Sequence, residues 1–361
     1  MRVLFCGGGT AGHVNPAIAV AETILRNSPQ SKVAYVTTMN GIENQLVDFK
    51  KYQIDVIGLK RKITFKNVSC LVKQIRAIKR CKEIIREFRP DIIFGTGGYA
   101  SYPVIIAGKK LGVKTVLHES NAIPGKAVLS LQGKADKIFI NFEESRKYFK
   151  NQKNIVHTGN PVRKGFVHIT KADAKSELKI TQKNVILVTA GTLGSKRINS
   201  YVIELIENYI RHNKDVFLIW SAGKNQIDSV NYELEKRHLL HLDNVMVRDY
   251  YKNIYVMMAA ADVVISRAGA MTVSELAYMK KAVVLVPSPN VTNNHQYLNA
   301  KAIEKAGAAV LITEDRLYTL IDTVKDVLSD MKFKNELETG MEKLFCKNAN
   351  KEIYNELLNL I

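Results

Sequence analysis

Glycine-rich runs that each follow a short apolar stretch are the residues of this sequence best suited to chemistry. Residues 7–13 read GGGTAGH, residues 95–101 read GTGGYAS, and residues 191–197 read GTLGSKR. Glycine lets backbone N–H groups approach a phosphate closely, and the start of a following helix adds partial positive charge. The runs therefore predict sites for phosphate-bearing ligands, although a simple tight turn is the alternative for the second run taken alone.

The first run also satisfies the G-x-G-x-x-G fingerprint of NAD- and FAD-binding loops. That fingerprint includes an acidic residue about 20 positions later, which holds the adenosine ribose. The strand predicted at 32–36 ends instead in residues 37–40, TTMN, without an acid. This disfavours a dinucleotide, and no cofactor is expected. His13 has no use in such a loop, and its imidazole suits proton transfer near neutral pH.

Residues 266–275, SRAGAMTVSE, follow a predicted strand and enter a predicted helix. Thr272 and Glu275 have the spacing of a capping box, in which the glutamate satisfies a backbone donor, and this interpretation is favoured when the run is taken alone. A carboxylate at a sheet edge is also well placed to accept two ribose hydroxyls. Two further polar runs, residues 118–121 (HESN) and 287–297, suit hydroxyl and sugar recognition, with solvated loops as the alternative.

Metal-binding patterns are missing from the sequence. No Asp-x-Asp pair, a common way to hold a metal on a diphosphate, occurs in it. A bound diphosphate would therefore be stabilised by helix ends, backbone N–H groups and cations. The four cysteines are scattered without a Cys-x-x-Cys pair, which argues against a zinc site or disulfides and fits a reducing cytoplasm.

The length of 361 residues exceeds what one hydrophobic core usually organises, so two domains are expected. Runs rich in β-branched residues alternate with longer helical patterns, which predicts an α/β fold with parallel sheets covered on both faces. The pattern restarts in the second half, again as strand, glycine loop and helix. We place Rossmann-like domains at 1–162 and 163–338, and a final helix at 339–361 that crosses back to the first domain. Strands are predicted at 2–6, 32–36, 55–58, 91–94, 115–118, 137–140, 185–189, 216–220, 245–247, 263–266, 282–286 and 309–312, and helices at 16–26, 72–87, 103–111, 198–212 and 272–278.

The formal net charge of +19 favours an anionic partner. Residues 60–89 carry eleven Lys and Arg against Glu83 and Glu87, so about half of the net charge lies in one segment. No apolar run reaches the roughly 18 residues that a membrane span needs, and the apolar start of the chain is too short for the core of a signal peptide. Nucleic acid is the least favoured partner, because no aromatic-rich basic surface or nucleic-acid module is present.

Taken in order, these runs resemble the motifs of the MurG family, the N-acetylglucosaminyltransferases of peptidoglycan synthesis in glycosyltransferase family 28. The resemblance spans nearly the whole chain and includes GNPVR at 159–163 and HQYLNA at 295–300. It implies a GT-B fold, whose two Rossmann-like domains with parallel sheets face each other across a cleft. It also implies an inverting hexosyltransferase that moves N-acetylglucosamine from UDP-N-acetylglucosamine to O4 of the muramyl sugar of lipid I, an undecaprenyl-diphosphate muramyl-peptide, giving lipid II and UDP.

The resemblance assigns roles to residues by their position in these motifs. Arg163 would meet the diphosphate, Glu275 the ribose hydroxyls and Gln296 the sugar. His13 is implied as the base that takes the acceptor proton, with Tyr99 and Glu119 as the other catalytic candidates and a bond to acceptor phosphate as the competing role of His13. The family usually has Ser where Thr192 stands, and some members have Gln in place of His295. The substrate contacts implied are Thr10, Ala11, Gly12, Asn121, Arg163, Thr192, Tyr251, Ala270, Met271, Thr272, Val273, Ser274, Glu275 and Gln296.

The basic segment resembles the family's patch that meets anionic lipid. The resemblance implies a peripheral protein on the cytoplasmic face of the cell membrane, which serves cell-wall synthesis, cell shape and division, with cell-wall synthesis proteins as further partners. The alternative is that Ile75, Ile78 and Ile85 face the core at helical spacing. The lipid-contact and core-packing interpretations are both correct if the loop 61–71 meets lipid and the helix predicted at 72–87 packs inward. The apolar members of the patch are Phe65, Val68, Leu71, Val72, Ile75 and Ile78, interleaved with Lys66, Lys73, Arg76, Lys79 and Arg80.

Two rival functions use the same sequence features. A UDP-N-acetylglucosamine 2-epimerase has the same fold but needs no lipid acceptor and gives no reason for the basic, apolar segment. A membrane-bound scaffold would bind the nucleotide without turnover. Release of UDP with and without a lipid-linked muramyl acceptor distinguishes both from a transferase.

Overall fold

The computed structural model describes residues 1–57, 66–166, 169–291, 294–344, 346 and 348–361. These residues form two compact units, Met1–Lys164 with Cys346–Ile361, and Gly165–Phe345. The breaks between the units lie at 164/165 and 345/346, whereas the sequence predicts them at 162/163 and 338/339. The second predicted boundary falls inside a helix that belongs to the second unit.

The first unit is built on a seven-stranded parallel sheet in the order β3-β2-β1-β4-β5-β6-β7. Residues 3–6 of β1 are completely buried because both faces of the sheet are covered, which explains their uninterrupted apolar sequence. The strand order reverses between β1 and β4, and ligands of α/β sheets collect at such a point, beyond the carboxyl ends of the strands. The strands are β1 (Arg2–Cys6), β2 (Lys32–Thr38), β3 (Lys51–Ile54), β4 (Ile92–Gly95), β5 (Lys114–Glu119), β6 (Lys137–Ile140) and β7 (Ile155–His157), and the helices are α1 (Ala11–Asn27), α2 (Glu43–Leu46), α3 (Lys66–Phe88), α4 (Ser101–Lys110) and α5 (Lys126–Leu131).

The second unit repeats this plan with a six-stranded parallel sheet in the order β10-β9-β8-β11-β12-β13. Its reversal lies between β8 and β11, so the loops after these two strands occupy the place of the loops after β1 and β4. Its strands are β8 (Asn184–Thr189), β9 (Val216–Ser221), β10 (Val245–Arg248), β11 (Val263–Ser266), β12 (Ala282–Leu285) and β13 (Val310–Leu311). Its helices are α6 (Lys171–Glu177), α7 (Lys196–Asn208), α8 (Ile227–Lys236), α9 (Ile254–Ala260), α10 (Ala270–Tyr278), α11 (His295–Lys305), α12 (Leu320–Ser329) and α13 (Met331–Leu344).

The last helix, α14 (Ala349–Leu358), packs on the first unit. Ile353 and Leu357 are fully buried in the same apolar cluster as residues of β1 and α1. The side chain of Asn350 accepts the N–H of Val162 at 2.8 Å and donates to the carbonyl of Val162 at 3.0 Å. The segment that leads out of the first unit is therefore held by the helix that ends the chain.

The predicted α/β class with two parallel sheets is confirmed, and most predicted strands lie within two residues of the observed ones. The strand predicted at 55–58 is wrong, because the edge strand β3 lies at Lys51–Ile54, where Tyr52 and Ile54 alternate with exposed residues. The short edge strand β7 escaped prediction. Among the described residues, none of the helices has the length and apolarity that crossing a membrane requires.

Candidate active site

The first two glycine loops pack backbone against backbone at the carboxyl edge of the first sheet. A Cβ atom on Gly98, whose φ is +74°, would lie 2.2 Å from the carbonyl oxygen of Gly8, and one on Gly7 would lie 2.0 Å from Oγ1 of Thr96. Only glycine fits such an approach. Helices α1 and α4, which follow the loops, have neither a side-chain cap nor an acidic residue in the first turn. The N–H of His13 donates to the carbonyl of Thr10 at 3.1 Å and that of Ser101 to the carbonyl of Gly98 at 3.3 Å. The partial positive charge of both helix starts still favours an anion.

His13 lies on the first turn of α1 and contacts the second glycine loop. Its Nδ1 is 3.0 Å from the carbonyl oxygen of Thr96. A carbonyl only accepts hydrogen bonds, so Nδ1 carries the proton and Nε2 is the basic nitrogen. The hydroxyl of Thr96 donates in turn to the carbonyl of His13, so the ring and its backbone are fixed by one residue. This arrangement suits a general base at Nε2.

Tyr99 and the predicted contacts Thr10, Ala11 and Gly12 lie at the same edge. The ring of Tyr99 lies against the first loop, because a Cβ atom on Gly9 would be 3.3 Å from Cε1 of Tyr99. Thr10 is the residue before α1 and is exposed, with an extended backbone. The structure therefore brings the predicted residues of the first two loops together around His13.

Glu119 ends β5 and organises the loop that follows it. Its Oε1 accepts the backbone N–H and the side-chain amide of Asn121 at 2.9 and 3.0 Å, and its Oε2 accepts the N–H of Gly125 at 2.8 Å. Burial raises the pKa of this carboxyl, and the hydrogen bonds from Asn121 and Gly125 act in the opposite direction. Because both oxygens are engaged, the geometry suits Glu119 for positioning Asn121 more than for proton transfer.

Hydrogen bonds tie the HESN run to the GNPVR run, and one of their partners, Asn141, lies outside the predicted runs. Ser120 donates to Nδ1 of the buried His118 at 3.4 Å, and Nε2 of His118 donates to the carbonyl of Gly159 at 3.4 Å. Burial lowers the pKa of His118 to about 4, so the ring is neutral and its tautomer is set by these partners. Asn141 accepts the N–H of Asn160 at 2.9 Å. These bonds hold the backbone that leads to Arg163, which is half-buried.

The third glycine loop packs against a neighbouring loop of the second sheet in the same way. A Cβ atom on Gly194 would lie 2.1 Å from the carbonyl oxygen of Ala222, and the φ of Gly194 is +77°. The carbonyl of Thr192 accepts the N–H of Lys224 at 3.0 Å, and Thr192 as a whole is half-buried. Unlike α1 and α4, helix α7 is capped, because the hydroxyl of Ser195 accepts the N–H of Ile198.

Arg267, in the SRAGA run, joins three segments of the second unit. Its guanidinium donates to Oγ of Ser195 at 2.7 Å, to Oε1 of Glu314 at 2.6 Å and to the carbonyl of Val286 at 3.0 Å. Arg197, the last residue of the third glycine run, donates to the backbone of Glu314 at 2.8 Å. No local pattern indicates these roles, because the partners are far apart in sequence.

The capping-box interpretation of Thr272 and Glu275 is wrong. Helix α10 begins at Ala270 with Gly269 as its N-cap, so Thr272 lies within the first turn and caps nothing. Met271, Val273 and Ser274 are buried, and Glu275 is only 3% exposed. The start of α10 has no side-chain cap and no acid in its first turn, so it resembles the starts of α1 and α4.

The remaining predicted donor contacts, Gln296 and Tyr251, belong to the same second unit. Gln296 accepts the N–H of Ser288 at 2.8 Å and holds the polar loop before α11. The buried Asn299, which was not predicted, donates to the carbonyl of Ala268 at 3.2 Å. Tyr251 is buried with its hydroxyl on the carbonyl of Met246, so its backbone is the part that a ligand can meet. Within the described ranges no His, Cys, Asp and Glu side chains gather in a group that could hold a metal ion.

Two parallel-sheet units, each with glycine loops that enter helices at a strand reversal, define a GT-B type of nucleotide-sugar protein. The family models agree with this class. The glycosyltransferase family 28 N-terminal domain matches residues 3–140, and the glycosyltransferase family 28 C-terminal domain matches residues 185–354.

A curated relative from Caldicellulosiruptor saccharolyticus is named UDP-N-acetylglucosamine--N-acetylmuramyl-(pentapeptide) pyrophosphoryl-undecaprenol N-acetylglucosamine transferase. It is 37% identical over 371 aligned positions, which cover 100% of this chain and 99% of the relative. A relative of the same name from Alkaliphilus metalliredigens is 34% identical and is covered completely. The chain therefore belongs to glycosyltransferase family 28, and within it to the MurG family.

Solved structures agree at the level of the fold. Acinetobacter baumannii MurG superposes with a TM-score of 0.74 at 23% identity, over 99% of each chain. The UDP-GlcNAc 2-epimerase from Neisseria meningitidis, bound to UDP-GlcNAc, superposes with a TM-score of 0.69 at 15% identity over 99% of this chain. The epimerase likeness shows a shared fold and no more.

Proposed function

We propose that this chain is an inverting glycosyltransferase that moves N-acetylglucosamine from UDP-N-acetylglucosamine to O4 of the muramyl sugar of lipid I, giving lipid II and UDP in peptidoglycan synthesis. The observation that carries the proposal is the full-length match, at 37% identity, to a relative that bears the name of this transferase. The position of His13 between two glycine loops supports it, because a transferase needs a base beside an anion-binding edge.

In the proposed reaction the acceptor oxygen attacks the anomeric carbon from the face opposite UDP. The new O4–C1 bond forms while the bond from C1 to the β-phosphate oxygen breaks, through an oxocarbenium-like transition state. His13 takes the acceptor proton at Nε2, since its Nδ1 is committed to the carbonyl of Thr96. Inversion follows from a single displacement.

Negative charge that develops on the leaving β-phosphate requires donors that are already in place. We assign this role to the Thr192 hydroxyl, to Arg163 and to the N-terminus of α10. Arg267 acts through Ser195 by holding the third loop in position. Loss of one such preorganised donor typically costs about 2.7–4 kcal/mol in the barrier.

The proposal is tested by transfer of radiolabelled N-acetylglucosamine to a lipid I analogue in the presence of a chelator. Product formation that is independent of chelator and requires the lipid acceptor is the expected result. UDP release or sugar isomerisation without the acceptor would support the epimerase instead. Binding of the donor with no turnover in the presence of both substrates would support a scaffold.

Glu275→Gln is expected to raise the KM for the donor about tenfold and to change kcat little. A carboxylate that accepts two ribose hydroxyls contributes equally to donor and transition-state binding, and such uniform binding appears in KM. Donor and acceptor KM and kcat are measured by steady-state kinetics. A large fall in kcat with an unchanged donor KM would contradict the ribose role.

We further propose that the protein is peripheral on the cytoplasmic face of the membrane and that α3 contributes to the contact. Ile75 is 62% exposed, which contradicts the alternative that it faces the core, whereas Ile78 and Ile85 pack inward as that alternative expects. Arg76 and Lys79 are exposed beside Ile75. Residues 58–65, which include part of the predicted loop, lie outside the described residues. Cationic side chains near an anionic surface contribute about 1 kcal/mol each.

Ile75→Glu is expected to lower binding to vesicles that contain phosphatidylglycerol at least tenfold, because it replaces an apolar contact by a repelled charge. The matched control is Tyr232→Glu, since Tyr232 is 66% exposed and lies on α8 of the second unit. Vesicle sedimentation at two salt concentrations measures the effect. Equal losses for the two variants would contradict a specific contact through α3.

A further inference from the structure

A buried carboxylate lies behind the first glycine loop, at the place where a dinucleotide-binding fold carries its ribose-binding acid. Glu43 begins α2 and is 0% exposed. Its Oε1 accepts the backbone N–H of Thr38 at 2.8 Å and the hydroxyl of Thr38 at 2.6 Å. Residues 37–40 contain no acid, but Glu43, which follows them in the chain, places its carboxylate at the end of β2.

The second oxygen of this carboxylate is unusual. Oε2 of Glu43 is buried and has no hydrogen-bond partner within the described part of the chain. A buried carboxylate oxygen without a donor is destabilising, and an amide of the same shape avoids the cost of the charge. Stability alone does not explain why an acid occupies this position.

Two backbone segments face the carboxylate: Gly41, where a Cβ atom would lie 2.0 Å from Oε1 and 2.3 Å from Oε2 of Glu43, and the first glycine loop. A Cβ atom on Gly8 would lie 3.0 Å from Oε1 and 3.2 Å from Oε2 of Glu43. The loop is supported elsewhere by Tyr35, whose hydroxyl donates to the carbonyl of Gly7 at 3.0 Å, and by the close approach of Gly98 to the carbonyl of Gly8. The carbonyl of Gly7 thus has a fixed partner and the carbonyl of Gly8 is closely packed, while the carboxylate offers an acceptor to a loop N–H.

We propose that Glu43 is a positioning residue of the first glycine loop. A small shift of the loop brings a backbone N–H of residues 7–9 to Oε2, with or without substrate, and this bond sets the direction of the N–H groups that remain for the ligand. The identity of that ligand rests on the proposed function, whereas the bond to the loop rests on the geometry of Glu43 and Gly8 alone. The role requires a carboxylate, because an amide nitrogen in place of Oε2 donates and cannot accept.

Glu43→Gln tests the proposal by hydrogen exchange and kinetics. Amide exchange of residues 7–13 is expected to accelerate at least tenfold, and the KM for a lipid I analogue to rise at least tenfold, because a hydrogen bond to a charged group is lost. The affinity for UDP-N-acetylglucosamine should stay within twofold, and the Tm should not fall, because a buried charge is removed.

Asp136→Asn is the matched control. One oxygen of Asp136 accepts the N–H and the hydroxyl of Thr115 at 2.8 and 3.1 Å. Glu43 bonds Thr38 in the same way, but Thr115 lies near the start of its strand and Thr38 lies at the end of its strand. Asp136→Asn should leave both the exchange of residues 7–13 and the acceptor KM within twofold of wild type. Thr38→Val removes a bond to Oε1 and keeps the carboxylate, so its effect on the loop should be below threefold.

Three results would overturn the inference. The first is an exchange rate of residues 7–13 and an acceptor KM that both stay within twofold of wild type in Glu43→Gln. The second is that Asp136→Asn changes these two quantities as much as Glu43→Gln does. The third is that Thr38→Val changes them as much as Glu43→Gln does. The exchange measurement needs no substrate. A wild-type protein that transfers no sugar would therefore contradict the proposed function and leave the role of Glu43 in the loop to be decided by exchange.

Discussion

Replacing His13 by alanine is expected to lower kcat about 10²- to 10⁴-fold, the usual contribution of a general base. The reason is geometric, since the bond from Nδ1 to the carbonyl of Thr96 places the basic lone pair on Nε2 at the edge where the first two glycine loops meet. Steady-state transfer assays measure the loss. The KM for the donor should be unaffected, because the donor contacts that we assign lie mainly in the second unit.

Two further variants separate the roles that an imidazole can have at this position. Asparagine offers a donor in place of Nδ1 and so keeps the bond to Thr96, whereas glutamine offers a donor in place of Nε2 and so keeps a bond to an acceptor phosphate. If His13 is the base, both variants are as slow as His13→Ala. Activity near wild type in His13→Asn would mean that His13 only supports the loop. Activity near wild type in His13→Gln would mean that His13 only binds the acceptor phosphate.

The pH dependence provides an independent check with a definite sign. A base acts when unprotonated, so kcat/KM of the wild type should rise with pH as the base loses its proton. The residual activity of His13→Ala should lack this rise. His118 does not complicate the profile near neutral pH, because burial lowers its pKa to about 4 and its ring is already neutral there.

The parts of the fold that sequence predicts well are those set by local composition. Strands β1 and β6 are short apolar runs ended by glycine or a polar residue, and both were predicted to the residue at Arg2–Cys6 and Lys137–Ile140. Strand β3 was misplaced because it is an edge strand whose alternating exposure weakens the apolar signal. In the first sheet, local patterns thus locate the inner strands better than the two edge strands β3 and β7.

The parts of the site that sequence could not predict depend on long-range contacts. Arg267 belongs to a motif, but its partner Glu314 lies 47 positions later, and only the folded chain joins them. The search for an acid at the end of β2 failed because Glu43 reaches that point from the following helix. The capping box of Thr272 failed for a related reason, since its spacing is satisfied while the helix begins earlier.

Gly194→Ala is expected to reduce UDP affinity at least tenfold, while Gly191→Ala reduces it less than threefold. Both glycines belong to the third loop and have positive φ values, +77° and +84°. An alanine at either position therefore bears a similar conformational cost of about 1–2 kcal/mol. They differ in space, because a Cβ atom at Gly194 would lie 2.1 Å from the carbonyl oxygen of Ala222, and one at Gly191 would meet nothing within 4 Å.

Calorimetric titration with UDP and thermal unfolding, applied to both variants, separate the steric effect from the conformational one. Backbone strain common to both should lower Tm by a few degrees in each, since about 1 kcal/mol shifts Tm by about 2–4 °C in a domain of this size. The additional loss of affinity in Gly194→Ala then measures displacement of the loop from the backbone at Ala222. Equal affinities in the two variants would mean that the close packing of these loops does not position the nucleotide, and the assignment of Thr192 to the leaving phosphate would fail with it.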